Sequence, residues 1–191
     1  MREAARLRSA MPPKPRDTTA GLFHVYTHCV WEASALFRDG VDRLEFLRRL
    51  AQVTRAAGWD CVAYCLMTTH YHLIVRVDDG VLPRAMRRLN LAYALHHNRR
   101  HGLRGHVQFA RYGSRRLHDE VELAVAFAYV ANNPVRAGLC SAPAAWPWSS
   151  YGGTVGATAL ASFVSPAEAI RAFDGRGIDP RVGLRAFVEA A

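Results

Sequence analysis

The sequence predicts an α+β sandwich, with helices packed on an antiparallel sheet, and three observations carry that reading. Runs rich in β-branched and aromatic residues read as strands, and stretches with apolar residues at helical spacing read as helices. The two kinds mix in the order β-α-β-β-α-β-α, which is split-βαβ-like. At 191 residues and 50% apolar composition, the chain can bury one sizeable core.

Taken in order, residues 1–20 carry Arg2, Arg6, Arg8, Lys14 and Arg16 among Pro12, Pro13 and Pro15 without apolar periodicity, which predicts a basic disordered arm. LFHVYTHCVW, Leu22 to Trp31, is aromatic and β-branched, hence a strand. Phe46, Leu47, Leu50, Val53 and Ala57 recur at helical spacing, and Gly58 closes that helix. DCVAYCLM (60–67) and HYHLIVRV (His70 to Val77) form a hairpin through Thr68 and Thr69, ended by Asp78, Asp79 and Gly80. Pro83 suits the N1 position of a second helix, which Met86, Leu89, Tyr93 and Leu95 or His96 continue to about Arg100. Its other face holds Arg84, Arg87, Arg88, Arg99 and Arg100. HVQFARY, His106 to Tyr112, reads as the fourth strand, followed by a basic segment with Ser114, Arg115 and Arg116. Asp119 caps a third helix running to Val130 on the stripe Leu123, Ala126, Phe127 and Val130, with Pro134 as its end. The remainder holds WPWSSY (146–151) and a short helix announced by Ser165, Pro166 and Glu168, a capping box with Pro at N1.

The formal net charge of +9 is carried almost wholly by arginine, since Lys14 is the only lysine. Arginine's planar fork suits bidentate phosphate contacts, so nucleic acid leads the partner classes. Coding bias explains a choice of Arg over Lys but not an excess of positive charge. No run of 18 or more apolar residues appears and no signal-peptide pattern opens the chain, so neither a membrane span nor secretion is expected, and a cytoplasmic place is. Cys29, Cys61, Cys65 and Cys140 include no Cys-x-x-Cys pair and read as reduced core residues rather than zinc ligands or disulfides.

His70 and His72 are separated by one residue on a strand, so both imidazoles share a face and make a two-point metal clamp. The competing reading is a pair of sheet-surface histidines. Tyr129 and Asn133 stand four apart on the third helix and project together, although a core tyrosine and a helix-stop asparagine would look the same. Combined with the charge, the pairs suggest more. A divalent metal on two imidazoles and an amide oxygen keeps open positions for phosphate oxygens and acts on them as a Lewis acid. A nearby tyrosine then has an electrophile. A free phenol has a pKa of about 10, so the site must favour phenolate or take its proton during attack.

Three strings carry a family resemblance: CLMTTHYHLIV (Cys65 to Val75), YVANNPVRAGL (Tyr129 to Leu139) and WPWSSY (Trp146 to Tyr151). With FHVYTHCVWEASALF (Phe23 to Phe37) as a first strand, the chain from about residue 20 to 152 resembles the REP-associated tyrosine transposases, a branch of the single-tyrosine HUH transposases. The resemblance implies a ferredoxin-like sheet, and a catalytic domain over residues 21–152 between the basic arm and a tail (153–191) with a short helix. It implies His70, His72 and Asn133 as ligands of magnesium or manganese, and Tyr129 as the nucleophile. The substrate it implies is single-stranded DNA, often a hairpin, cut with a 5′-phosphotyrosine link and a free 3′ hydroxyl. Tyr71 stands between the histidines where an aliphatic residue is frequent; His28 and Ala110 stand where related chains often carry Arg and Gly.

Arg84, Arg87, Arg88, Arg111, Arg115 and Arg116 are the candidate phosphate contacts, each equally readable as part of a solvated face. Trp146 and Trp148 either stack on bases or anchor the tail. A non-catalytic hairpin-binding module of the same fold is the alternative function. An RNA-binding sheet would need exposed aromatics on central strands, for which Tyr64 and Tyr71 are the candidates. Monomer or homodimer, and use of Tyr129 within its own subunit or across to a partner, stay open.

Overall fold

A computed structural model describes residues 17–28, 35–103, 111–174 and 177–191. The described elements are β1 (Gly21–His28), α1 (Gly40–Ala57), β2 (Asp60–Leu66), β3 (His70–Val77), α2 (Val81–His101), β4 (Gly113–Leu117), α3 (Glu120–Arg136), a 3₁₀ turn (Pro143–Ala145), α4 (Tyr151–Thr154), α5 (Ala167–Arg171) and α6 (Pro180–Glu189). The sheet runs β2-β3-β1-β4, antiparallel at every pairing. This is the α+β, ferredoxin-like arrangement that the sequence predicts.

Strand alternation gives the sheet two apolar faces. On one, Phe23, Val25, Tyr71, Leu73 and Val75 pack under Phe46 and Leu50 of α1 and Met86, Leu89 and Tyr93 of α2. On the other, Leu22, Ile74 and Leu117 meet Leu123, Phe127 and Val130 of α3, and Leu184 and Val188 of α6 close the layer. His24, Tyr26, His70 and His72 fall on the α3 side, in step with Leu22 and Ile74.

Several local expectations need correcting. The first strand's predicted end, residues 29–31, lies outside the described residues, as does most of the predicted fourth strand. The described Arg111 and Tyr112 are not in a strand; β4 is instead GSRRL, Gly113–Leu117. Its residues have weak strand preference, and pairing with β1, from Leu22↔Leu117 to Tyr26↔Gly113, imposes the conformation. Pro83 is the third residue of α2 rather than its first, because Gly80 at φ 69° turns the chain into the helix at Val81. The missing N–H costs nothing there, since first-turn N–H groups have no helical acceptor. Pro134 does not end α3, which runs to Arg136; only the bond to the Val130 carbonyl is lost, and Ala137 N–H still donates to Asn133 O at 3.0 Å.

In the tail, Ser165 makes no capping bond, Pro166 sits at the N-cap of α5 rather than N1, and Glu168 bonds Arg76 instead. Helix α6, capped by Asp179 with Pro180 at N1, is an addition to the predicted elements. Trp146 and Trp148 anchor the segment to β2: Trp146 Nε1 donates to Leu66 O at 3.1 Å, and Leu66 N–H donates to Trp148 O at 2.9 Å. Cys61 and Cys65 are buried free thiols, and Cys140 is half-buried and free.

Candidate active site

Neighbouring strands bring the polar residues of the α3 side together. Tyr26 pairs with His72 across β1 and β3 and with Gly113 across β1 and β4, while His24 pairs with Arg115. A side chain at 113 would collide with the Tyr26 ring, so glycine lets that ring lie flat over β4. Helix α3 crosses above and lowers Tyr129 among these groups. His24, Tyr26, His70, His72, Arg115 and Tyr129, with Leu117, Val125 and Ala126, line one open cavity of about 360 Å³.

Within it, the Tyr129 ring centre is 5.5 Å from that of His72 and 5.8 Å from that of His24, edge-on in both cases. Tyr129 is 40% exposed, so it is not a core aromatic. The Arg136 guanidinium stands 5.6 Å from its ring. His70 and His72, as the strand period requires, share the face, with ring centres 5.1 Å apart. His72 Nδ1 contacts His24 Nε2 at 3.0 Å, and His70 Nδ1 contacts Thr69 Oγ1 at 3.1 Å. Burial first, and then the Arg115 charge, push His24 down to about 4, so it is a neutral imidazole near pH 7.

Asn133 is one turn beyond Tyr129, and its Nδ2 donates to the Tyr129 carbonyl at 2.8 Å; it is not among the residues lining the cavity. Of the six arginines predicted to meet phosphate, Arg115 alone lines it. Arg116 bonds Asp17, Thr19 and the Ala20 carbonyl and lies over Phe23. Arg111 is exposed, and Arg84, Arg87 and Arg88 are exposed on α2, in the layer across the sheet. Tyr64 and Tyr71 are buried, and Tyr71 donates to Asn90 Oδ1 at 2.6 Å, so neither offers a stacking surface for RNA.

His24 and Tyr26 are site residues that sequence reasoning passed over. The signal was present: both stand on the polar phase of LFHVYTH, at the same period of two that exposed His70 and His72. Away from the cavity, Asp42, His97 and His101 bring three donor atoms within 4.8 Å of one another between α1 and α2.

No protein-family model matches this chain, and no curated protein does. Among solved structures, it is similar to a REP-associated tyrosine transposase bound to a REP hairpin, with a TM-score of 0.65 and 16% identity. The likeness covers 81% of this chain and 91% of that one, and is a likeness of fold. None of the described helices is long and apolar enough to cross a membrane.

Proposed function

We propose that this chain is a DNA-cutting and rejoining enzyme, a transposase acting on single-stranded DNA folded as a hairpin, with Tyr129 as its nucleophile. The observation that carries the reading is the half-exposed Tyr129 phenol, held against His72 and His24 in a cavity that also contains His70 and Arg115. The fold shared with a hairpin-bound REP-associated tyrosine transposase supports it.

The donor set suits a divalent metal. Each of His70 and His72 has its Nδ1 held by a neighbour, the arrangement that orients an imidazole to ligate through Nε2. In this reading His70 and His72 hold magnesium or manganese; imidazoles favour manganese of the two. Asn133, whose side chain lies back along α3 outside the cavity wall, is the third proposed ligand, through Oδ1 once it swings inward, since its Nδ2 is the atom engaged with the helix. The ion supplies Lewis-acid polarisation of the scissile phosphate.

The remaining roles belong to the chain. Arg115 offers a positive charge to the phosphate at the cavity wall. Tyr129 Oη attacks phosphorus, losing its proton; the bond to the 3′ oxygen breaks, and that oxygen leaves as a hydroxyl. The phosphotyrosine keeps the bond energy, so the reverse attack rejoins a strand without an external source. Helix α3 is packed on its own sheet through Leu123, Phe127 and Val130, which supports use of Tyr129 within its own subunit.

The test is incubation with REP-like hairpin DNA and magnesium or manganese, comparing wild type with Tyr129→Phe. A denaturant-resistant protein–DNA adduct that vanishes in the variant is the expected result. Hairpin binding without an adduct under both metals would leave a non-catalytic binding module.

A further inference from the structure

Across the sheet from Tyr129, α2 presents His97 and His101 four residues apart on one face, and α1 sets Asp42 against them. His97 is only 2% exposed, yet neither of its ring nitrogens has a hydrogen-bond partner among the described residues. A polar group buried in that condition is costly unless something fills the gap. Asp42 is fully buried, and its carboxylate oxygens lie 3.1 and 3.0 Å from His101 Nε2. The same carboxylate accepts from Arg38 N–H at 2.9 Å and Arg100 Nη1 at 2.5 Å, and Arg100 continues to Asp39.

We infer that Asp42, His97 and His101 form a binding site for a zinc-type transition-metal ion that clips α1 to α2. Two imidazole nitrogens and one carboxylate oxygen are a donor set that binds zinc and its neighbours more tightly than manganese or magnesium. Bonds of about 2.0 Å place two donors of a tetrahedral ion about 3.3 Å apart. Asp42 and His101 already stand close to that separation, and His97, inside the 4.8 Å limit, has to close the third side. The ion would satisfy the buried His97 ring, and its fourth position would go to water. Arg100 remains on Asp42 and orients the carboxylate from outside, as partners of ligating groups commonly do. Positive charge from Arg38, Arg43 and Arg100 opposes a cation, and the carboxylates of Asp39 and Asp42 offset two of those three charges. A clip of this kind fixes the helix pair that backs β3 and leaves the Tyr129 cavity untouched, so it stands or falls independently of the proposed cleavage activity.

The test uses the full chain carrying His70→Ala and His72→Ala, which removes the other histidine pair, stripped of metal and then titrated with zinc or cobalt. The expected result is one equivalent bound per chain, with the visible absorption of tetrahedral cobalt. At zinc a hundredfold above Kd, the melting temperature should rise by about 5–10 °C. Adding His101→Ala should abolish the binding and the shift, and His97→Gln should do the same, giving a second reading should either variant disturb folding. Absence of binding in the starting protein, or stoichiometry unchanged by both substitutions, would overturn the proposal and leave Asp42, His101 and Arg100 as an ion-pair clasp.

Discussion

His24 Nε2 lies 3.0 Å from His72 Nδ1, tying β1 to β3 beneath the ring of Tyr129. Because Nδ1 of His72 is held in this way, the ring orientation of one proposed ligand depends on a neighbour that would not itself bind the ion. Positioning of this kind typically accounts for a factor of about 10–100 in metal affinity or activity. His24→Ala should therefore shift the manganese concentration for half-maximal adduct formation upward by about that factor, and His24→Gln should recover part of it. Identical manganese curves for all three proteins would show that His24 does not hold His72.

Arg115 and Arg116 are adjacent in β4 but do different things. Arg115 lines the cavity, and Arg116 is spent on Asp17, Thr19 and Ala20. Arg115→Ala is expected to weaken hairpin binding and to lower the slope of log K against log salt by about 1, the signature of one lost phosphate contact. Arg116→Ala should leave that slope nearly unchanged while loosening the segment before β1, read as faster amide exchange at Thr19 and Ala20.

Gly113 gives way to the Tyr26 ring across the β1–β4 pair. Gly113→Ala should destabilise the fold by roughly 1–3 kcal/mol through overpacking. Adding Tyr26→Ala in the same chain should relieve most of that loss, a coupling that denaturant titration of the two single variants and the double variant would measure.

Glu45 accepts hydrogen bonds from Arg48 and Arg49 on α1, and Arg48 above all holds its carboxyl down at about 2. Its pKa in the folded chain lies below its ordinary value of 4.5, so its contribution is present above about pH 4.5 and is lost as the pH falls towards 2. The melting temperature of Glu45→Gln should lie below that of wild type at pH 6, and the two should converge by pH 2. A constant gap across that range would rule out this ionisation as the cause.

Much of the fold was legible because local signals agreed with one another. The β2–β3 hairpin, with Thr68 and Thr69 between two strand-forming runs, matches prediction within a residue, as does Gly58 at the end of α1, where its φ of 66° needs no Cβ. Asp119 caps α3 as expected, its side chain accepting from Glu122 N–H. β4 was misplaced because GSRRL has no strand signal of its own, and its conformation comes from the register of β1, about 90 residues earlier. Pro134 misled for a related reason: packing along α3 outweighs the single backbone bond that the proline removes.

The candidate site divides in the same way. The period of two puts His70 and His72 on one face, and the helical period puts Tyr129 and Asn133 one turn apart, whatever the rest of the chain does. Side-chain alternation and helical rise are local properties, and so the residue order suffices for them. Which of these faces meet is a matter of contacts between distant segments. The packing of α3 on the sheet brings Tyr129 to His72, draws in His24, Tyr26 and Arg115, and leaves Asn133 outside the cavity wall. The pairing of α1 with α2 likewise closes Asp42 on His97 and His101, residues 55 and 59 positions away. Neither encounter has a periodicity to betray it, because it arises only when apolar faces bury each other and carry their polar neighbours with them.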